Sequence, residues 1–347
     1  VIMASRPPSA AQGATSRPPT QSSARRRPSA TPAAHRSGTP RRERYPGRPR
    51  GRFLSLGAGV QSLSVFLLAC EGRIPRFDAA LFADTGWEPK QVYAQLDTAR
   101  KIGAQAGIPV LTVSNGNIRH DTLNPNARFV TMPLFVKNPD GTRGMARRQC
   151  TGDYKIRPLK KAVRELLGYP HPLRVPRGVF VDQAIGISTD EIHRAKDSDV
   201  NYTRNIFPLL DLGMSRSDCL AYLRERGLGD VVKSSCLGCP YSGNSRLRFI
   251  RDTDPQAWAD LIEFDKAIRN GSPRANAEGK PLRGQFFIHR SLRPLDQVDL
   301  DATRSRPSAE EDDPDGCSPF SCRSGPAATV PVPQRPTAAS RPSRAGT

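Results

Sequence analysis

The stretch Phe53 to Ser62, FLSLGAGVQS, decides how the whole chain is read. Phe53, Leu54 and Leu56 make a short apolar run that predicts a strand. Gly57, Ala58 and Gly59 leave almost no side chain, and Val60 to Cys70 continues in Leu, Val and Ala, which predicts a helix. A strand that empties through a glycine turn into a helix aims bare backbone N–H groups and the helix N-terminus at one point, which makes an anion site. The lysine of a Walker loop is missing, because no Gly-Lys-Ser/Thr follows.

Downstream, Asp78 to Ala83 (DAALFA) predicts a second buried strand ending at Asp84-Thr85-Gly86. A helix from about Pro89 follows, with Val92, Leu96, Ala99 and Ile102 at helical spacing, and Pro109 to Val113 predicts a third strand. Gly178 to Ile187 (GVFVDQAIGI) predicts another, emptying into Ser188, Thr189, Asp190, Glu191 and Arg194. Strands alternating with helices at this spacing predict an α/β fold with a doubly wound, mostly parallel sheet, whose ligands sit at the carboxyl ends of the strands. Residues 114 to 146 read as loop, with VTMPLFV as the one candidate strand. Later come a capped helix opening at Ser215, with Ser215 and Asp218 as its capping box, and a helix from Pro255 to Arg269 that packs on the sheet or on a dimer partner. Leu159, Val163 and Leu166 mark one face of a further helix.

The formal charge of +20 over 347 residues is unevenly spread. Residues 1–50 hold 11 Arg against the single acid Glu43 and few large apolar side chains, so they read as a disordered tail. Residues 301–347, with the acidic run Glu310 to Asp315, read the same way. The folded part is residues 51–300, with 200–300 as a C-terminal subregion, and it carries the other +10. That excess favours a polyanionic ligand, either a nucleotide or a nucleic acid. The Arg- and Ser-rich start also fits an organelle transit peptide; a solvated tail or an over-extended start is preferred. No apolar run approaches the ~20 residues of a membrane span, so no membrane role and a cytoplasmic location are expected.

Seven cysteines without an export signal suggest metal ligands, catalytic thiols or buried hydrophobes. Cys236-x-x-Cys239 forms a tight knuckle, and with Cys150 and Cys219 it suggests a closed four-thiolate or an open three-thiolate site. Eight basic residues between Arg143 and Arg164 are either a solvated helix face or a phosphate or sulfate clamp beside Cys150, with Arg147, Arg148, Lys155 and Arg157 as its core. Helix capping is the plainer reading of Asp84 and of Ser188 to Arg194. Trp87, Tyr93 and Tyr154 read equally as core, pocket wall or stacking platforms, and His289 as structural.

Taken together, FLSLGAGVQS, FADTGWEP, RRQCTGDYKIRPL, the Gly178 to Arg194 segment and SSCLGCPY resemble the phosphoadenosine phosphosulfate (PAPS) reductase-like PP-loop family, part of the adenine nucleotide alpha-hydrolase-like group. The resemblance spans most of residues 53 to 245 and implies a Rossmann-like fold. It implies that Ser55, Gly57, Ala58, Gly59, Val60, Gln61, Ser62, Asp84, Thr85 and Gly86 line an ATP or PAPS site. It gives Ser62, Asp84, Glu191 and Arg194 catalytic roles, Glu191 or Asp190 with magnesium and Arg194 with phosphate. The loop departs from the family's Ser-Gly-Gly-x-Asp-Ser at Gly57 and at Gln61.

The resemblance further implies a 4Fe–4S cluster on Cys150, Cys236 and Cys239, with either Cys219 in place of a missing paired cysteine or three protein ligands and one open iron; zinc is the alternative. It implies cleavage at the α-phosphate followed by sulfur transfer, with thiolation of a nucleic acid as one outcome and a sulfur-donor protein or reductant as partner. The family's Glu-Cys-Gly-Ile/Leu-His tail is missing, since only Cys317 and Cys322 stand there, in GCSPFSC. A sulfonucleotide reductase with a non-standard nucleophile is therefore the alternative enzyme. A nucleotide-binding module with structural zinc is the alternative outside enzymes.

Overall fold

Phe53 and Leu54 point to opposite faces of one strand and both are buried, so that strand needs cover on both sides. It is β1 (Arg52–Ser55), in the middle of a five-stranded parallel sheet with β2 (Ala79–Asp84), β3 (Val110–Ser114), β6 (Val181–Ile185) and β7 (Thr203–Ile206). The order is β3-β2-β1-β6-β7, with Leu54 level with Ala80 on one side and Ala184 on the other. The computed structural model describes residues 45–126, 131–271 and 284–302. Most of both tails, with Cys317 and Cys322, lies outside the described residues.

Helices α1 (Val60–Cys70), α2 (Lys90–Ala106) and α6 (Arg216–Arg224) cover one face, over Leu54, Ala80, Phe82 and Ala184. Helix α4 (Arg157–Leu166) covers the other, over Phe53, Leu81, Ala83 and Val181. Each large apolar side chain buried this way contributes roughly 1.5–3 kcal/mol, and that burial holds the layers together. Val92, Leu96 and Ala99 of α2 are buried as their spacing predicts. Leu166 is not: it is 46% exposed, and Leu167 reaches the apolar cluster in its place as α4 ends. The capping box of α6 is complete, Ser215 Oγ accepting from Asp218 N and the Asp218 carboxylate from Ser215 N. Asp218→Ala should cost about 1 kcal/mol in urea unfolding, an ordinary cap loss.

The region read as loop builds a second, antiparallel sheet, β5-β4-β8, from β4 (Phe135–Lys137), β5 (Arg143–Met145) and β8 (Gln285–Phe287). VTMPLFV therefore predicts the strand's position but places it too early. This sheet, α7 (Asn244–Thr253) and α8 (Pro255–Ala267) enclose a separate core that includes Trp87, Leu134, Leu261, Phe264, Phe286 and Ile288. Helix α8 thus packs within the chain. Asp265, 1% exposed, ties it to β8's exit by accepting from the N–H groups of Ile288 (2.9 Å) and Leu295 (3.1 Å). Short helices α3 (Ile118–Leu123) and α5 (Pro208–Asp211) complete the set. Among the described residues no helix is long and apolar enough to cross a membrane.

Candidate functional site

The chain runs from β1 to β2 on one side and reaches β6 on the other, so the sheet order reverses between β1 and β6. In open α/β sheets the crevice at that reversal, beyond the carboxyl ends of the strands, is where ligands bind. Gly57 to Ser62 occupies it. Ser62 closes the loop on itself: its Oγ accepts from Gly57 N (3.2 Å) and donates to Gly59 O (3.1 Å). Ala58 takes φ +55°, a left-handed conformation that a residue with a Cβ enters only under restraint. Gly59 is the N-cap of α1 and has no side chain to cap it, so the first-turn N–H groups stay available.

Three residues that the sequence did not single out hold this loop. Gly186, just beyond β6, lies so close that a Cβ there would stand 2.8 Å from Ser62 N and 3.0 Å from Gln61 C. Gln95 on α2 donates to the Ala58 carbonyl and accepts from Val232 N (2.7 Å), fastening the loop to the 232–236 segment. Arg216, first residue of α6, donates to Gln61 Oε1 (3.2 Å), while its N–H meets Asp190 Oδ2. A guanidinium thus stands at the loop. Its signal was faint, because nothing in the sequence near Arg216 marks it apart from the cap at Ser215.

Of the predicted nucleotide residues, Gly57 to Ser62 form the loop, with the Val60 side chain buried in the core. Ser55 does not join them: it is buried within β1, where its Oγ accepts from Gln183 Nε2 (2.9 Å). Asp84 closes the turn after β2, its Oδ1 accepting from Gly86 N (2.8 Å) and Tyr93 OH (2.9 Å). Burial first, and then the Asp84 carboxylate, push the Tyr93 phenol well above its ordinary range, so it stays a hydrogen-bond donor. Glu191 and Arg194 are both buried and hydrogen-bonded to each other at 2.6 Å, within a 3-10 turn, Thr189–Arg194.

The clamp residues disperse. Arg147 is exposed, Arg157 is exposed and paired with Asp153 (2.8 Å), and Arg148 lies over the Tyr241 ring, 5.0 Å from its centroid. Lys155 alone is drawn in. A π-helical turn, Gly152–Ile156, widens the backbone before α4 and carries the Lys155 side chain inward, where it meets Glu88 Oε1 at 3.7 Å. Both partners are buried. Lys155 lines a narrow crevice with Leu56, Gly57, Phe82 and Ser234 that encloses ≈ 10 Å³, room for about one water.

The Cys236-x-x-Cys239 knuckle docks against the Asp84 turn. Cys239 N donates to Cys236 O (3.2 Å), Leu237 N to Trp87 O (2.7 Å), and Cys236 Sγ meets Thr85 Oγ1 (3.4 Å) and Glu88 Oε1 (3.9 Å). Gly238 lies flat on the indole of Trp87, where a Cβ would fall 2.3 Å from ring atoms. Gly238→Ala should therefore push the knuckle off Trp87 at a cost of about 1–3 kcal/mol, read as a lower melting temperature with altered Trp fluorescence. Cys150 borders the same apolar core as Cys236, whereas Cys219 belongs to the core beneath α1. Among the described residues no three Cys, His, Asp or Glu side chains stand where one metal ion could join them. The donors for a three- or four-thiolate cage are therefore not assembled.

Burial pushes the thiols of Cys219 and Cys70 up to about 11. At pH 8 roughly a thousandth of each is thiolate. Native-state iodoacetamide labelling followed by peptide mass spectrometry should leave both unmodified; rapid labelling of Cys219 would show that it is accessible and ionised.

A cavity of ≈ 400 Å³ opens away from the loop, lined by Arg52, Arg73, Phe77, Asp182, Ile206 and Leu212 among others. Its size does not make it the site. Arg52 and Asp182 lie toward the amino ends of β1 and β6, and Asp182 already serves Arg204 (2.7 and 3.0 Å) and Arg52 (3.6 Å). No protein-family model matches the chain and no curated protein matches it either, so the case for the Gly57 to Ser62 crevice rests on its own geometry.

Proposed function

We propose that the chain is a PP-loop enzyme of the PAPS reductase-like kind, which binds ATP or a related adenine nucleotide over Gly57 to Ser62, cleaves it at the α-phosphate and supports sulfur transfer. One observation carries this reading. An uncapped helix N-terminus, closed by Ser62 onto Gly57, sits at the reversal of strand order with a buried lysine and a guanidinium beside it. Such a cradle suits the β- and γ-phosphates of a nucleotide.

In the proposed reaction an acceptor oxygen attacks the α-phosphorus, and pyrophosphate leaves with the electron pair of the broken P–O bond. The acceptor is left adenylated, and a sulfur nucleophile then displaces AMP. The α1 N–H groups, Lys155 and Arg216 stabilise the charge that gathers on the leaving pyrophosphate. Magnesium, which Asp190 or Glu191 would hold, would supply further charge neutralisation. A nucleic acid is the proposed acceptor, with a sulfur-donor protein or reductant as partner, on the strength of the basic chain. Among the described residues the cysteines are not gathered around one point that an iron–sulfur cluster or zinc could occupy. A metal on Cys236 and Cys239 would require Cys150 to close on them.

The test is ATP binding and pyrophosphate release by the full chain, with iron and sulfide analysis after anaerobic purification. Saturable ATP binding, weakened about 10-fold or more in Ser62→Ala, is the expected result, because that change frees the Gly57 end of the loop. Retention of PAPS without pyrophosphate release would replace this reading with a sulfonucleotide reductase. A colourless zinc protein that binds ATP without turnover would replace it with a binding module.

A further inference from the structure

Arg246 sits at the third position of α7, and its environment does not account for it. Its guanidinium makes one long hydrogen bond, Nη2 to Ser235 O at 3.5 Å, and its Nε is buried with no partner. Burial lowers its proton affinity; the nearby Cys239, Glu88 and Cys236 raise it again. Glu88 is already shared with the buried Lys155, so that ammonium and the half-buried Arg246 guanidinium face one carboxylate. A charge taken out of water costs several kcal/mol unless an opposite charge meets it.

Other donors around it are equally unused. Ser242, immediately before the α7 N-cap, is 9% exposed, and its buried Oγ has no partner. Gly243, the N-cap, offers no side chain, so no side-chain cap serves the first-turn N–H groups of α7. His289 fixes the next donor: its Nδ1 accepts from Ser291 N (3.2 Å), so its Nε2–H donates to Asn244 Oδ1 (3.0 Å). That leaves the Asn244 amide N–H groups with no partner among the described residues. Hydroxyl, amide, guanidinium and helix N-terminus lie within one turn of α7, directly after the Cys236–Cys239 knuckle, and all can donate.

We infer that the first turn of α7, through Ser242, Asn244 and Arg246, binds a tetrahedral oxyanion of the sulfate or phosphate class beside the cysteine knuckle. The site is separate from the Gly57 to Ser62 loop, and it stands whether or not that loop binds ATP. The anion supplies a hydrogen-bonding partner for the Arg246 guanidinium, which Glu88, shared with Lys155, does not give it, and an acceptor for the unused donors.

The probes are sodium sulfate, thiosulfate and phosphate, titrated calorimetrically into the full chain at constant ionic strength with chloride as balance. One oxyanion per chain should bind. Arg246→Met and Ser242→Ala should each weaken it about 10-fold or more, the loss of a charged or buried hydrogen bond. Arg246→Met should keep its circular dichroism spectrum, because an apolar side chain of similar size replaces a poorly bonded, half-buried charge. Ser62→Ala should bind the oxyanion as wild type does, which separates this site from the nucleotide loop. Preference for sulfate and thiosulfate would identify a sulfur oxyanion as the ligand, and preference for phosphate a phosphate group. Absence of saturable binding by all three, or equal binding by wild type and a folded Arg246→Met, would overturn the inference.

Discussion

Gly186→Ala should weaken the nucleotide binding proposed for the loop roughly a hundredfold while the protein still folds. The added Cβ would stand 2.8 Å from Ser62 N and 3.0 Å from Gln61 C, and both are backbone atoms of the first turn of α1. Neither can rotate away as a side-chain tip could, so the turn itself must shift. Such overpacking costs about 1–3 kcal/mol of stability, which a core of this size survives. Binding suffers more, because displacing the N–H groups by about 1 Å loses roughly a hundredfold when several act together on one phosphate. Calorimetric titration with ATP, beside a thermal melt, reads both quantities. Wild-type affinity in a folded Gly186→Ala would mean that the phosphates, if bound, are held elsewhere.

Glu88→Ala should be among the most destabilising single changes in the described chain, at about 3–5 kcal/mol. Glu88 is buried with its Oε1 3.7 Å from Lys155 Nζ, and the same oxygen accepts from Thr85 Oγ1 at 3.1 Å. Removing it deprives a buried ammonium of its facing carboxylate and frees the turn on which Cys236 rests. The double variant Glu88→Ala, Lys155→Met should recover part of the loss, since the Lys155 ammonium is then no longer stranded, although Arg246 still loses the same carboxylate. Urea unfolding of the two single variants and the double closes the cycle. A loss under about 0.5 kcal/mol for Glu88→Ala would show that water reaches the pair and screens it.

The strand-loop-helix reading of FLSLGAGVQS and the alternation after it were enough for the parallel sheet, because buried strands and a glycine turn are written in contiguous residues. The antiparallel sheet was not legible. Its strands are three residues each, and β8 meets β4 across about 150 positions. The site divided in the same way. Ser62 and Asp84 lie beside their own hydrogen-bond partners in the sequence and were readable. Gly186, Gln95, Arg216 and Arg246 matter only through atoms that the fold brings from elsewhere. The cluster of basic residues misled for a related reason: like charges adjacent in sequence fan out around a helix, and only the π-helical turn carried Lys155 inward. Cys219 has the look of a ligand by type, but its place on α6 makes it a buried hydrophobe.

The position of β1 between β2 and β6 also sets a timetable. Ser55 and Gln183, which join β1 to β6, are 128 residues apart. At ribosomal rates of about 5–20 residues per second, β1 leaves the tunnel roughly 6–25 s before β6 can dock, and β2 and β3 follow it within that interval. Through that interval the apolar edge of β1 has no neighbour, a template for pairing with another nascent chain. The same docking brings Gly186 against the loop. A ligand that reads the finished loop would therefore bind late in synthesis, and its binding would report that the second half of the sheet has arrived.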